Sequence, residues 1–272
     1  MHKYSMAHLT GNGADPITAT EAAAKAGYDM VSYRFLPAGP GDTPPPLLED
    51  DKLFAETLAA MKANGLGIID VEMMRLAQGT DLQRFKPLME RAAQLGATSI
   101  VTAIDDTDRA RAIDAYCRLC EMAEPYGIAA ELEFMPWTGC KTIRDALEFM
   151  DATTSKSAAI LFDTLHFDRC GSTLDDISAI PADKINYVQL CDALADYDKS
   201  DEGLIYVARQ ARLIPGRGDI DFAPIMKRLP KDVPISIEIP DKPLVEEMGL
   251  DAFLRATLEE TKALVDRIEA EA

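Results

Sequence analysis

The chain has 272 residues, 47% of them hydrophobic and 27% charged, a composition typical of a globular protein and not of a disordered or fibrous one. With 46 acidic against 28 basic side chains its net charge is −18, which repels a polyphosphate backbone and argues against a nucleic-acid partner. The amino terminus lacks the apolar core of a signal peptide, and no apolar run is long enough to cross a bilayer, so we expect a cytoplasmic protein without a membrane partner.

Short apolar or β-branched segments recur along the chain at near-even spacing and predict eight strands. In order they are SMAHLT near residue 7, DMVSYRF near 32, GIIDVEMM near 70, SIVTAI near 101, IAAELEF near 131, AAILFDT near 161, INYVQLCD near 188 and PISIEIP near 237. Helical patterns alternate with them; the first predicted helix has Gly27 as its C-cap and the second ends at Asn64-Gly65. This alternation, without a linker, predicts a single (β/α)8 barrel, a TIM barrel of the α/β class, over residues 1–272.

The five cysteines are odd in number and scattered, so we expect no disulfide framework. Cys117 and Cys120 form a CxxC motif inside a helical pattern, without a second pair that would complete a zinc site. We therefore expect this motif to pack a helix.

Polar side chains stand at the predicted carboxyl ends of strands whose interiors we expect to be apolar throughout, and (β/α)8 enzymes assemble their active sites at those ends. Three carboxylates converging on one mouth repel each other unless a cation or protons neutralise them. Together with an amide they form an all-oxygen set, which suits Mg²⁺ or Mn²⁺ best and leaves Co²⁺ or Zn²⁺ as less favoured ions. The alternative is that they are helix caps or surface carboxylates. The four residues are Glu133, Asp163, Gln189 and Glu238.

The segments LEFMPWTG, LFDTLHFDRCG, YVQLCDA, LIPGRGDIDF and ISIEIP resemble, in order and spacing, the second half of the xylose isomerase-like sugar isomerases and epimerases. SMAHLT and GYDMVSYRF are similar to that family's first two strands, so the resemblance covers essentially the whole chain. It implies metal ligands at Glu133, Asp163 and Glu238. At the fourth ligand position the family usually has histidine, whereas this chain has Gln189. In this respect the set resembles the Glu, Asp, Gln, Glu metal shell of 3-dehydroshikimate dehydratases. His166 matches the histidine of the family's DxxH motif, which faces the substrate.

Several other side chains near the predicted mouth are candidates for substrate contact. A guanidinium group binds carboxylate or phosphate in a bidentate manner, and Arg75, which follows Glu72 in DVEMMRL, is the preferred anion contact. Trp137, the only tryptophan, forms either an apolar pocket wall or the packing of a loop, and the PGRG segment is expected to form a turn. The predicted substrate-binding residues are Arg34, Glu72, Arg75, Trp137, Arg212 and Arg217.

The resemblance implies proton transfer on a small hydroxy-ketone by Glu133 and Glu238, with the ion stabilising the enediolate between them. An isomerase or epimerase of a sugar or sugar-like polyol is the leading hypothesis. The alternative is a dehydratase of a 3-dehydroshikimate-like hydroxy-keto acid, with His166 or a glutamate as the acid, which Gln189 and the arginines favour. Related barrels often form dimers or tetramers, so a homo-oligomer is compatible with this interpretation.

Two further classes of protein fit the sequence less well. A DNA-repair endonuclease of the endonuclease IV type needs a histidine-rich trinuclear zinc site and a basic face, which three histidines and a charge of −18 do not provide. A non-catalytic binding barrel would hold no metal, and its four strand-end residues would point apart.

Overall fold

The computed structural model describes residues 2–271. The strands within this range are β1 Tyr4–Met6, β2 Met30–Arg34, β3 Gly67–Leu76, β4 Ser99–Ile104, β5 Ala129–Glu133, β6 Ala158–Asp163, β7 Val188–Leu190 and β8 Ile235–Ile237. The α-helices are α1 Pro16–Ala26, α2 Asp51–Asn64, α3 Lys86–Leu95, α4 Arg109–Ala123, α5 Ile143–Asp151, α6 Thr164–Cys170, α7 Leu174–Ala179, α8 Asp201–Gln210, α9 Phe222–Met226, α10 Lys242–Met248 and α11 Leu250–Ala270. No helix in this part of the chain combines the length and apolar character needed to span a bilayer.

The eight strands form a closed barrel in sequence order, and every neighbouring pair is parallel. The barrel closes where β1 pairs with β8, with Met6 opposite Ile237. Since all strands run in the same direction, their carboxyl ends meet at one rim. The predicted (β/α)8 architecture is confirmed.

Local sequence signals explain the first helices. The Asp15 side chain accepts hydrogen bonds from the backbone N–H groups of Ile17 and Thr18 at the start of α1, each at 3.1 Å. Gly27 ends this helix at a φ of 97° and Gly65 ends α2 at a φ of 67°, a region that glycine enters without the steric cost of a Cβ atom. Both predicted helix ends are confirmed.

The amino-terminal strand is shorter than its apolar pattern predicted. It ends at Met6, and the chain turns into a 3₁₀ helix over His8–Gly11. In this turn the Thr10 hydroxyl donates to the Ile237 carbonyl at 2.7 Å and accepts from the Ile239 N–H at 2.8 Å. The Thr10 side chain thus joins the first and last strands of the barrel at the point where the chain leaves β1.

The CxxC motif lies within α4, as predicted. Cys120 is buried and Cys117 is half-buried. Neither cysteine forms a disulfide, so the motif packs a helix against the barrel.

The strand interiors contain a fully buried polar group, so the expectation that they are apolar throughout is wrong. The Ser99 hydroxyl donates to Glu131 Oε1 at 2.8 Å, the Asn186 amide donates to the same oxygen at 2.6 Å, and the Ser32 hydroxyl donates to Asp70 Oδ1. Burial raises the pKa of Asp70 to about 8 and that of Glu131 to about 7. At pH 7 Asp70 therefore mostly retains its proton and Glu131 is partly protonated, and a neutral, hydrogen-bonded carboxyl group is tolerated inside a barrel.

Candidate functional site

A cavity opens at the carboxyl ends of the strands and gathers most of the predicted site residues. Glu133 is the last residue of β5, Gln189 lies within β7, and Glu238 follows β8 directly. The predicted residues that line the cavity are Arg34, Glu72, Arg75, Glu133, Trp137, Gln189, Arg212 and Glu238.

Three buried side chains, of which Glu133 lines this cavity, have the spacing of metal ligands. One ligand atom each from Glu133, Asp163 and His166 lies within 4.8 Å of the others. This group includes two of the four predicted ligands and adds His166, which the sequence placed beside the metal. It lacks Glu238, which is joined to the group indirectly through Arg212.

The hydrogen bonds of Asp163 leave little freedom to this carboxylate. Its Oδ1 caps α6 by accepting from the N–H groups of Leu165 at 2.7 Å and His166 at 3.1 Å. Its Oδ2 accepts from Arg212 Nη1 at 2.6 Å, and an sp² oxygen then retains one lone pair. Because of Arg212 and these N–H donors, the pKa of Asp163 lies below its usual range despite complete burial.

Gln189 brings an unsatisfied oxygen to the same place. β7 pairs with β6 so that Gln189 lies directly beside Asp163. Its Oε1 is buried and finds no hydrogen-bond partner anywhere in residues 2–271. An orphaned buried acceptor beside two carboxylates fits an oxygen ligand of a cation, and hence the all-oxygen set predicted from the sequence.

Arg212 connects the ligand group to Glu238 by contacting a carboxylate of each. Its Nη1 contacts Asp163, and its Nη2 forms an ion pair with Glu238 Oε2 at 2.8 Å. Burial raises the pKa of Glu238 well above its usual range. The negative charges of neighbouring carboxylates raise it further, and the positive charge of Arg212 offsets only part of this rise. Without a further cation, Glu238 therefore tends to hold a proton.

His166 contacts Glu133 and does not line the cavity. Its Nε2 lies 3.3 Å from Glu133 Oε1, and its ring packs edge-on against Trp137 with centroids 5.1 Å apart. Its Nδ1 is buried and has no partner among the described residues. The structure thus places this histidine where it can orient Glu133 or exchange a proton with it.

The predicted arginines differ in their surroundings. Arg34 donates from Nε to Glu72 at 2.9 Å and from Nη1 to Asp42 at 3.2 Å. Arg75 donates from Nε to Asp105 at 2.7 Å. Both line the cavity, but their guanidinium groups already bind carboxylates of the protein.

Arg217 lies apart from the cavity. Its Nε donates to Glu260 at 2.8 Å in an exposed pair. The structure therefore offers it no contact with a substrate in the cavity.

Sequence reasoning missed Arg209, which also lines the cavity. It lies on α8 and donates to the Ala38 carbonyl at 3.1 Å, yet within residues 2–271 it forms no ion pair. Burial, together with Arg75 and Arg34, lowers its pKa. Its sequence signal was weak, because an arginine on an amphipathic helix normally predicts a solvated face.

A buried carboxylate shapes the loop that carries Arg212. Asp192 Oδ2 accepts from the N–H groups of Gly216 and Gly218, each at 2.9 Å, and Oδ1 accepts from Ile220 at 3.1 Å. Its backbone pairs with Leu213 through two hydrogen bonds of 2.8 Å. The PGRG segment is thus a turn wrapped around Asp192, as the sequence predicted, and it fixes the chain beside Arg212.

These features define a (β/α)8 barrel with a buried carboxylate, amide and imidazole group at its carboxyl-terminal rim. The model of the family described as "Xylose isomerase-like TIM barrel" matches residues 20–269, and the chain belongs to this family.

Individual relatives are distant. An inosose isomerase from Bacillus velezensis is 23% identical over 268 residues, covering 91% of each chain. A solved structure of the IOLI protein with a bound zinc atom is 18% identical, has a TM-score of 0.79 and is matched over 99% of this chain and 98% of the other. A fusion of a xylose isomerase-like TIM barrel with a 4-hydroxyphenylpyruvate dioxygenase is 19% identical with a TM-score of 0.79; the match covers 98% of this chain and 44% of the fusion protein.

Proposed function

We propose that the protein is a divalent-metal-dependent isomerase or epimerase of a small polyhydroxy ketone. The observation that carries this proposal is that two glutamates, Glu133 and Glu238, line one cavity together with Gln189, whose buried amide oxygen has no partner in residues 2–271. A third carboxylate, that of Asp163, lies beside Gln189 on the neighbouring strand. Isomerisation of a hydroxy-ketone needs a group that removes a proton beside a carbonyl and a group that returns one. Two carboxylates facing one space meet that need.

The donor set fits a divalent cation. Glu133, Asp163, Gln189 and Glu238 would hold it, and His166 is an additional donor within reach. When bound, the ion would polarise a carbonyl oxygen and stabilise the negative charge that develops when the neighbouring proton is removed. Oxygen donors favour Mg²⁺ or Mn²⁺, whereas participation of His166 would move the preference toward Co²⁺ or Zn²⁺.

The two glutamates are held differently, which favours different roles in proton transfer. Glu133 is 3.3 Å from the imidazole of His166, a partner that can accept or supply a proton. Glu238 is instead held by Arg212 Nη2 at 2.8 Å, a partner that keeps its own protons. We therefore assign proton removal to Glu133 and proton return to Glu238. The isomerase relative agrees with this class of reaction.

A second candidate function is a dehydratase of a hydroxy-keto acid. The observation that favours it is Arg209, a cavity-lining guanidinium without an acidic partner in the described chain. A substrate carboxylate would pair with this positive charge, whereas a neutral sugar would leave the charge unpaired. Both reactions begin with removal of a proton beside a carbonyl, so they would use Glu133 in the same way.

Solvent exchange tests the shared first step. Glu133→Gln and Glu238→Gln each keep an oxygen donor and remove a base, so at saturating Mn²⁺ turnover should fall by roughly 10²-fold or more. Incorporation of deuterium beside the carbonyl should fall in parallel in Glu133→Gln. The exposed Glu90→Gln on α3 is the matched control and should behave like the wild type.

Ketoses and dehydroshikimate-like acids should be screened with Mg²⁺, Mn²⁺ or Co²⁺ added to metal-stripped protein. A product of unchanged mass indicates isomerisation, and a product lighter by one water indicates dehydration. Near-normal exchange in Glu133→Gln would mean that the base lies elsewhere and would contradict the mechanism.

A further inference from the structure

Arg212 is the cation nearest to the proposed metal ligands, and its position is fixed from several sides. Its Nε donates to the Ala208 carbonyl at 2.7 Å, and Nη1 donates to Asp163 at 2.6 Å and to the Cys191 sulfur at 3.2 Å. Its side chain is only 3% exposed although it lines the cavity. The guanidinium is therefore a permanent part of the site.

This arginine sets the charge of the ligand group. Glu133, Asp163 and Glu238 contribute −3 when ionised, and Arg212 contributes +1, so the group carries −2. A divalent ion makes that sum zero, whereas a trivalent ion leaves +1 in a buried place, where an unbalanced charge is costly.

The neighbouring charges leave this balance in place. Arg34 is paired with Glu72, and Arg75 is paired with Asp105. Arg209 lies on α8 and forms no ion pair within residues 2–271. Its charge is the same in every variant compared below, so it does not change the comparison.

We propose that Arg212 is a positioning residue that selects a divalent ion, by holding Asp163 and Glu238 in place and by fixing the charge of the site at −2. This inference rests on the proposed metal-dependent function and adds a charge-selective role for a residue that acts through the carboxylates it holds. It follows that the affinity for a trivalent ion relative to a divalent ion is set by the arginine's charge.

The test compares Tb³⁺ with Mn²⁺ on the metal-stripped full chain. Trp137 is the only tryptophan and packs against His166, so it can sensitise Tb³⁺ luminescence, while added Mn²⁺ competes for the site. Arg212→Gln removes one positive charge and should raise the Tb³⁺/Mn²⁺ affinity ratio on the order of 10²-fold, the effect of a unit charge acting at roughly 5 Å with an effective dielectric constant of about 20.

Three further variants separate charge from shape. Arg212→Lys keeps the charge and should keep the ratio within about threefold, even if both ions bind more weakly. Glu238→Gln should move the ratio in the opposite direction, and the double variant Arg212→Gln/Glu238→Gln should return it toward the wild-type value, because its charge is again −2. If Arg212→Gln does not fold, the double variant keeps the test decisive, because it removes the arginine together with one of its two carboxylate partners. Its ratio should exceed that of Glu238→Gln, and equal ratios in these two variants would overturn the proposal.

A ratio that stays constant across Arg212→Gln and Glu238→Gln would overturn the proposal and leave Arg212 as scaffold. Failure of the wild-type protein to bind either ion is a different outcome, since it would remove the metal-dependent function itself.

Discussion

Asp70 offers a sharp test of how the barrel interior tolerates ionisable groups. Its side chain is buried, accepts from the Ser32 hydroxyl and lies near the negative charge of Glu72. Burial, followed by that charge, raises its pKa to about 8 in the folded protein. Asp70→Asn keeps the size and shape of the side chain but cannot ionise.

The magnitude follows from proton linkage. In the unfolded chain the Asp70 carboxyl ionises near a pKa of about 3.9, so between roughly pH 4 and pH 8 the unfolded state has lost a proton that the folded state keeps. The stabilisation is fully present below the unfolded pKa and is lost as the pH rises through the folded pKa. The slope is about 1.4 kcal/mol per pH unit, and the loss across the window is on the order of 5 kcal/mol.

The assay is the free energy of unfolding in urea, followed by circular dichroism at intervals from about pH 5 to pH 8. The wild type should lose about 4 kcal/mol more than Asp70→Asn over this range. The exposed Asp151→Asn serves as the matched control and should show the wild-type profile. Parallel pH profiles for wild type and Asp70→Asn would refute the reasoning, because the carboxyl group would then ionise alike in both states.

Three other perturbations test the site. Chelation should lower the melting temperature as well as the activity, because the ion balances clustered carboxylates only in the folded state; an unchanged melting curve with no metal by elemental analysis would contradict the site. Gln189→His should shift the order of metal affinities toward Co²⁺ and Zn²⁺, and an unchanged order in competitive titrations would mean that Gln189 is not a ligand. In Gly218→Ala the new Cβ would lie 2.5 Å from Asp192 Oδ1, so metal affinity should fall more than in Gly11→Ala, where the nearest atom would lie at 3.7 Å; equal affinities would show that the loop does not position the site.

The sequence predicted the barrel well because its signals are local. Eight apolar segments, separated by amphipathic helices with glycine caps, need no distant information to be recognised, and the closed parallel barrel confirms them. The start of the chain was less predictable. The pattern SMAHLT predicts one strand, but β1 ends at Met6. The Thr10 hydroxyl instead donates to the Ile237 carbonyl and accepts from the Ile239 N–H.

The site was predictable in part for the same reason. Glu133, Asp163, Gln189 and Glu238 stand at the ends of recognisable strands, and the topology alone brings them to one rim. Contacts made by loops were not predictable. Sequence spacing does not reveal that Arg212 reaches back to Asp163, 49 positions earlier.

The difference between strands and loops also bears on specificity. The strand ends carry the groups to which we assign proton transfer and metal binding, and parallel pairing fixes their positions, as between Asp163 and Gln189. The segment between β7 and β8 instead carries Arg209 and Arg212, and Asp192 fixes its path through backbone hydrogen bonds. Changes in this segment can alter the charge facing the substrate without moving the strand-end carboxylates. We therefore expect this segment to decide between a neutral sugar and a hydroxy-keto acid in the proposed reaction, and Arg209 is the residue in it whose charge a substrate carboxylate could pair with.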